Sequence, residues 1–145
     1  MKIEGILRTK GYDVVTILES STVLDAAQLL VEENIGSLVV MGGEGPVGII
    51  TERDVLRLAA DASVDLGAIG VASAMTREMI TASPDAPLTS VMDTMTERRI
   101  RHLPVLDGDR LAGIVSIGDL VNACRVSAEQ ENSALREYIQ GAGAA

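Results

Sequence analysis

Two stretches of the chain end an apolar run with the same set of groups: Gly48-Ile49-Ile50-Thr51-Glu52-Arg53-Asp54 and Gly113-Ile114-Val115-Ser116-Ile117-Gly118-Asp119. A glycine lets another group approach the backbone closely. The hydroxyl and the carboxylate that follow have the spacing of a helix's first turn. Open N–H groups and the positive end of the helix dipole favour an anion there. The hydroxyl can bond a phosphate, and the aspartate can accept from two vicinal hydroxyls, as a ribose presents. The same [ST]-x-x-[DE] spacing is also that of a capping box, which needs no ligand. The two roles are compatible, because such a helix start caps when empty and binds when full.

Other chemistries lack their parts. His102 is the single histidine and Cys124 the single cysteine, so an internal disulfide is impossible and a Cys/His zinc site has no ligand set. The chain has no G-x-x-x-x-G-K-[ST] phosphate loop and no G-x-S-x-G elbow, and any His-dependent triad would have to use His102. Cys124 reads as a buried helical cysteine, and Met92 and Met95 as core filler. The 21 acidic residues show no compelling pair spacing. The expectation is a protein that is not an enzyme and holds no catalytic cofactor or metal.

A net charge of −9 argues against a nucleic-acid partner, which needs a surplus of Lys and Arg on one face. The 145 residues are 47% hydrophobic and 23% charged, enough for a real core. No run approaches the roughly eighteen apolar residues of a membrane span. Met1–Lys10 contains Glu4 and Arg8 and lacks the apolar stretch of a secretory signal. A soluble cytoplasmic protein is expected.

The elements that must position these groups come in duplicate. A shift of 65 residues lays Val15–Leu56 over Ile80–Val121 without a gap. It matches Thr16 with Thr81, Ile35 with Ile100, Leu38 with Leu103, Val40 with Val105, Gly48 with Gly113 and Asp54 with Asp119. Each copy reads as β-α-β-β-α. The opening strands are Val14–Ile17 and Met79–Ala82, and the first helices Val23–Asn34 and Leu88–Arg99, by apolar spacing. Thr22 and Asp25 form a capping box, and Pro87 sits where a missing N–H costs little. The strand pairs are Ser37–Met41 with Val47–Thr51 and Leu103–Leu106 with Leu111–Ser116. Gly42-Gly43-Glu44-Gly45-Pro46 and Asp107-Gly108-Asp109 supply their turns.

Last helices start near Thr51 and Ser116, and Asp61–Val71 connects the copies. Ile3, Ile6 and Leu7 suggest a short N-terminal helix. The final helix is expected to run past Leu135 and Ile139 and stop at Gly141-Ala142-Gly143. Neither copy buries both faces of its sheet alone, so the copies should pack on each other. The expected class is α/β (α+β), with residues 1–66 and 67–145 as two repeats of one module.

A duplicated unit closing with G-h-x-[ST]-x-x-D resembles the cystathionine β-synthase (CBS) domain, and the tandem resembles a CBS pair, or Bateman module, from about Gly5 to Asn122. Thr51-Glu52-Arg53-Asp54 and Arg101-His102-Leu103-Pro104-Val105 look like stretches of standalone bacterial CBS signal-transduction proteins. The resemblance implies two repeats packed by pseudo-two-fold symmetry, without catalytic activity. It further implies regulatory binding of an adenosine ligand: AMP foremost, with ADP, ATP, NAD(H) or S-adenosylmethionine as others. Such a module would sense energy or redox state and signal to a separate effector protein. A homodimer, a disc of four repeats, is implied too. The alternative is a structural homodimerisation module with silent ligand sites.

In the family the aspartate holds the ribose and the preceding Thr or Ser meets ribose or phosphate. Carried over, one cleft takes Thr51, Arg53 and Asp54 with Thr16, Ile17, Gly36, Ser37 and Leu38. The other takes Ser116, Gly118 and Asp119 with Thr81, Ala82, Arg101, His102, Leu103 and Pro104. Tyr12 and Tyr138 are the only aromatic residues, so aliphatic walls would hold the adenine. Arg98-Arg99-Ile100-Arg101-His102 gathers three of the twelve basic residues and the only histidine, a cluster suited to attract phosphate. Arg98 and Arg99 fit a helix end that complements the dipole. Arg101 and His102 begin a strand beside the second cleft, which is expected to be the tighter mononucleotide site. A dinucleotide could reach across both.

Overall fold

Ile3, Ile6 and Leu7 line one side of an N-terminal helix, α1 (Ile3–Lys10), and all three are buried. The computed structural model describes residues 1–143, with no account of the side chains beyond Gly141. After α1 come β1 (Thr16–Leu18), α2 (Val23–Glu33), β2 (Ser37–Gly42), β3 (Gly45–Thr51) and α3 (Glu52–Ala59). The connector holds a 3₁₀ turn, Leu66–Ala68, and a short helix, α4 (Val71–Ala74). The second repeat supplies α5 (Leu88–Arg98), β4 (His102–Asp107), β5 (Arg110–Ser116) and α6 (Ile117–Gly143).

Local chemistry explains the boundaries. Asp25 N–H donates to Thr22 Oγ1 at 3.1 Å and Thr22 N–H donates to Asp25 Oδ2 at 3.0 Å, so α2 starts on a closed capping box. α2 and α5 stop one residue short of the expected ends, because Asn34 and Arg99 are left-handed caps with φ of 52° and 54°. The duplication extends to irregularities: a bulge lies between Val40 and Met41 in one hairpin, and between Val105 and Leu106 in the other. α6 runs past Leu135 and Ile139 as far as Gly143, the last residue described. Among the described residues no helix is long and apolar enough to cross a membrane.

The two sheets differ at their opening strand. In the first, β1 lies parallel to β2 and β2 antiparallel to β3. In the second, only β4 and β5 form regular strands. Met79–Ala82 is reduced to one parallel bridge, Ala82 to Val105. The cause is Pro104. Its counterpart Val39 donates its N–H to Val15 O at 3.4 Å, and proline has no N–H to give.

The two cores exchange their flanking helices. Leu38, Val40 and Ile50 of the first repeat pack with Val71 and Met75, from the segment that leads into α5. Leu103, Val105, Val115 and Leu120 of the second pack with Ile3, Ile6 and Leu7 of α1. Chain order groups α1 with residues 1–66, but packing joins it to the other repeat. Two glycines permit this. A Cβ at Gly48 would lie 2.6 Å from Met75 Sδ and 2.8 Å from Thr76 O, and one at Gly113 would lie 2.7 Å from Leu7 Cδ2. Thr76 O is backbone and cannot yield, so Gly48→Ala should destabilise the fold by about 1–3 kcal/mol. Gly43→Ala, where an added Cβ meets nothing within 4 Å, is the control. Equal urea midpoints for the two variants would contradict this packing.

Candidate functional site

Both repeated motifs form helix caps at their strand ends. Thr51 N–H and Thr51 Oγ1 donate to Asp54 Oδ2 at 2.9 and 3.0 Å, and Asp54 N–H donates back to Thr51 Oγ1 at 3.4 Å. Ser116 N–H donates to Asp119 Oδ2 at 2.8 Å, and Asp119 N–H donates to Ser116 Oγ at 3.1 Å. In each box the bonds to the carboxylate fall on Oδ2, so Oδ1 takes no part in the cap.

Beside the first box opens a cleft of about 570 Å³, large enough for a mononucleotide. The first repeat lines it with Gly36, Ile49, Thr51, Glu52, Arg53, Asp54, Leu56 and Arg57. Thr76, Glu78, Met79, Ile80, Arg99, Ile100, Arg101, His102 and Pro104 complete it from the other side. The motif of one repeat thus faces the opening segment and first strand of the other.

This cleft gathers Gly36, Thr51, Arg53 and Asp54 with Arg101, His102 and Pro104, although grouping by repeat had set the last three beside Asp119. The remaining expected residues lie elsewhere. Ile17, Leu38 and Leu103 are core residues, pointing inward as alternate strand positions do. Ser37 is buried, Ala82 half-buried, and Thr16 and Thr81 are exposed away from this lining. Gly118 is exposed, and Ser116 and Asp119 stand at the other box. Arg99 and the apolar lining of Leu56, Ile80 and Ile100 were not expected. Arg99 reads in sequence as a dipole cation, yet as the left-handed cap of α5 it turns the chain into β4 and lines the cleft. Cys124 packs on α6 against Met92, with Sγ 3.5 Å from Met92 Sδ.

Four guanidiniums, Arg53, Arg57, Arg99 and Arg101, line the cleft with three carboxylates, Glu52, Asp54 and Glu78. None of the four arginines forms an ion pair among the described residues. The cleft therefore carries local positive charge in a chain of net −9. Asp119 is different: Lys10 Nζ donates to its Oδ2 at 2.6 Å and to Ile114 O at 2.8 Å. Burial pushes the Asp119 carboxyl up, but the Lys10 ammonium and the Ser116 N–H outweigh it and hold the group below the usual carboxylate range.

His102 stands between the two boxes. Its ring lies over Gly36, where an added Cβ would be 3.0 Å from His102 Cε1. Burial pushes the imidazole below its ordinary value; Glu52 and Asp119 oppose this, while Lys10 and Arg101 reinforce it. The folded ring takes a proton less readily than the unfolded one, so stability should fall as pH drops through the ordinary imidazole range. A urea midpoint lower at about pH 5.5 than at about pH 7.5 is expected, and His102→Gln should shrink the difference. An unchanged difference in that variant would assign the effect to other groups.

Residues 4–61 and 71–126 each match the family model of the CBS domain. The chain is a tandem pair of CBS domains. A mitochondrial CBS domain-containing protein of Arabidopsis thaliana, CBSX3, is 36% identical over 148 residues, spanning 96% of this chain and 72% of its own length. The crystal structure of the CBS-domain containing protein ATU1752 from Agrobacterium tumefaciens superposes with a TM-score of 0.80 at 36% identity, covering 85% of this CBS pair and 98% of that chain. The CBS domain pair of protein MJ0100, solved with 5′-methylthioadenosine and S-adenosyl-L-methionine, has a TM-score of 0.77 at 27% identity and covers 88% of this chain and 98% of its own.

Proposed function

We propose that this CBS pair is a non-catalytic regulatory module that binds an adenosine nucleotide in the cleft beside Asp54. The observation that carries the reading is the juxtaposition of a capped Thr51–Asp54 helix start with four arginines that have no ion-pair partner among the described residues. Asp54 Oδ1 and Thr51 Oγ1 would take the ribose hydroxyls. Ile49, Leu56, Ile80 and Ile100 would pack on the adenine. Arg53, Arg57, Arg99 and Arg101 would hold phosphate by charge-assisted bonds. His102, neutral near pH 7, would add a hydrogen bond rather than a charge.

The MJ0100 pair binds 5′-methylthioadenosine and S-adenosyl-L-methionine, which supports an adenosine ligand here. The arginines favour a phosphorylated ligand, AMP, ADP, ATP or NAD(H), over a sulfonium, whose positive charge they would repel. Calorimetric titration of the chain with AMP, ADP, ATP, NAD, NADH, 5′-methylthioadenosine and S-adenosylmethionine tests the reading. Saturable micromolar binding of a phosphorylated member is expected. Absence of heat and of any melting-temperature shift at millimolar ligand would return both motifs to helix caps of a structural module.

A further inference from the structure

We propose that Lys10 silences the second ligand cleft of this CBS pair, its ammonium occupying Asp119, so that each chain takes one adenosine nucleotide, at Asp54. The inference rests on the reading of Asp54 and Asp119 as ribose anchors given above.

The two caps are nearly the same, and one cation separates them. Lys10 Nζ lies 2.6 Å from Asp119 Oδ2, whereas no ion pair reaches Asp54 among the described residues. The backbone accounts for the difference. Leu7 presses on Gly113 as Met75 presses on Gly48, so α1 and α4 dock alike. Beyond those contacts they diverge. α4 ends at Ala74, and the extended chain pairs with β3: Thr76 N–H donates to Ile49 O at 2.9 Å and Ile49 N–H to Thr76 O at 3.0 Å. α1 instead runs on to Lys10. At Ile114, the counterpart of Ile49, the carbonyl is taken by the Lys10 ammonium at 2.8 Å.

The added turn of helix thus carries a cation into the second box. The helix is anchored, since Ile3 and Leu7 are fully buried. The Lys10 and Asp119 side chains are 33% and 27% exposed, so the pair is better shielded than a fully solvated one. A ribose at Asp119 needs the carboxylate as acceptor for its hydroxyls. Lys10 sits on Oδ2 of that carboxylate, braced by Ile114 O, and lines the same small cavity as Asp119. A ribose reaching Oδ1 must therefore compete with an ammonium that neutralises its acceptor.

The test is calorimetry of the full chain with AMP and ATP as probes. Wild type should bind one equivalent, weakened roughly ten- to a hundredfold in Asp54→Ala and unaffected in Asp119→Ala. Lys10→Met keeps an unbranched stem without the charge. It should bind two equivalents, and adding Asp119→Ala should remove the second. Lys10→Arg should remain at one. Two equivalents in wild type, one in Lys10→Met, or weaker binding in Lys10→Met than in wild type would overturn the proposal. If Asp54-dependent binding survives any of these, only the silencing falls. No heat from either probe in wild type and Lys10→Met would overturn the ligand reading together with it.

Discussion

Asp54→Ala should weaken nucleotide binding by roughly ten- to a hundredfold, the loss of about 1.5–3 kcal/mol expected when a charge-assisted contact is removed. The substitution also opens the cap of α3, which costs about 1 kcal/mol of folding stability. The two effects separate by measurement. Calorimetry reads the affinity, and a urea midpoint reads the cap. Thr22→Ala opens the box of α2, whose Thr22 and Asp25 lie outside the cleft lining, and should lower stability without touching affinity. An Asp54→Ala protein that binds AMP or ATP as wild type does would remove the basis of the functional reading.

Leu7→Ala should destabilise the protein by about 2–5 kcal/mol, the cost of a cavity in a packed core. Leu7 is fully buried, and its side chain fills the space over Gly113. The loss should be read first in the second repeat, because Leu7 packs with Leu103, Val115 and Leu120. Hydrogen exchange tests this directly: amides of β4 and β5 should lose protection before those of β2 and β3. Earlier loss in the first repeat would mean that α1 is not held where its contacts indicate.

The two hairpins and the capped starts of α2, α3 and α6 were legible because each depends on residues close in the chain. Thr22 and Asp25 sit three apart and close a box regardless of tertiary context. The composition of the cleft was not legible, because it pairs Asp54 with Arg101 and His102 across the interface between repeats. Grouping residues by repeat set those two beside Asp119, whereas the cleft lining brings them together with Asp54. Pro104 did carry a readable signal, since a proline at the position of Val39 cannot complete a three-stranded ladder. Lys10 carried none. A lysine in the last turn of a short helix is ordinary dipole chemistry, and only packing sends it to Asp119.

The exchange of flanking helices sets an order of events in synthesis. Lys10 and Ile114 are 104 positions apart, and α1 has its partners in β5 and α6. At about 5–20 residues per second, a ribosome needs roughly 5–20 s to make the chain between them. From their own emergence until β5 and α6 follow, Ile3, Ile6 and Leu7 lack the surface that will cover them. The first repeat must likewise wait for Val71 and Met75 before its own core is complete. A ribosome paused between the two repeats would therefore display an uncovered apolar helix, the kind of surface a chaperone engages.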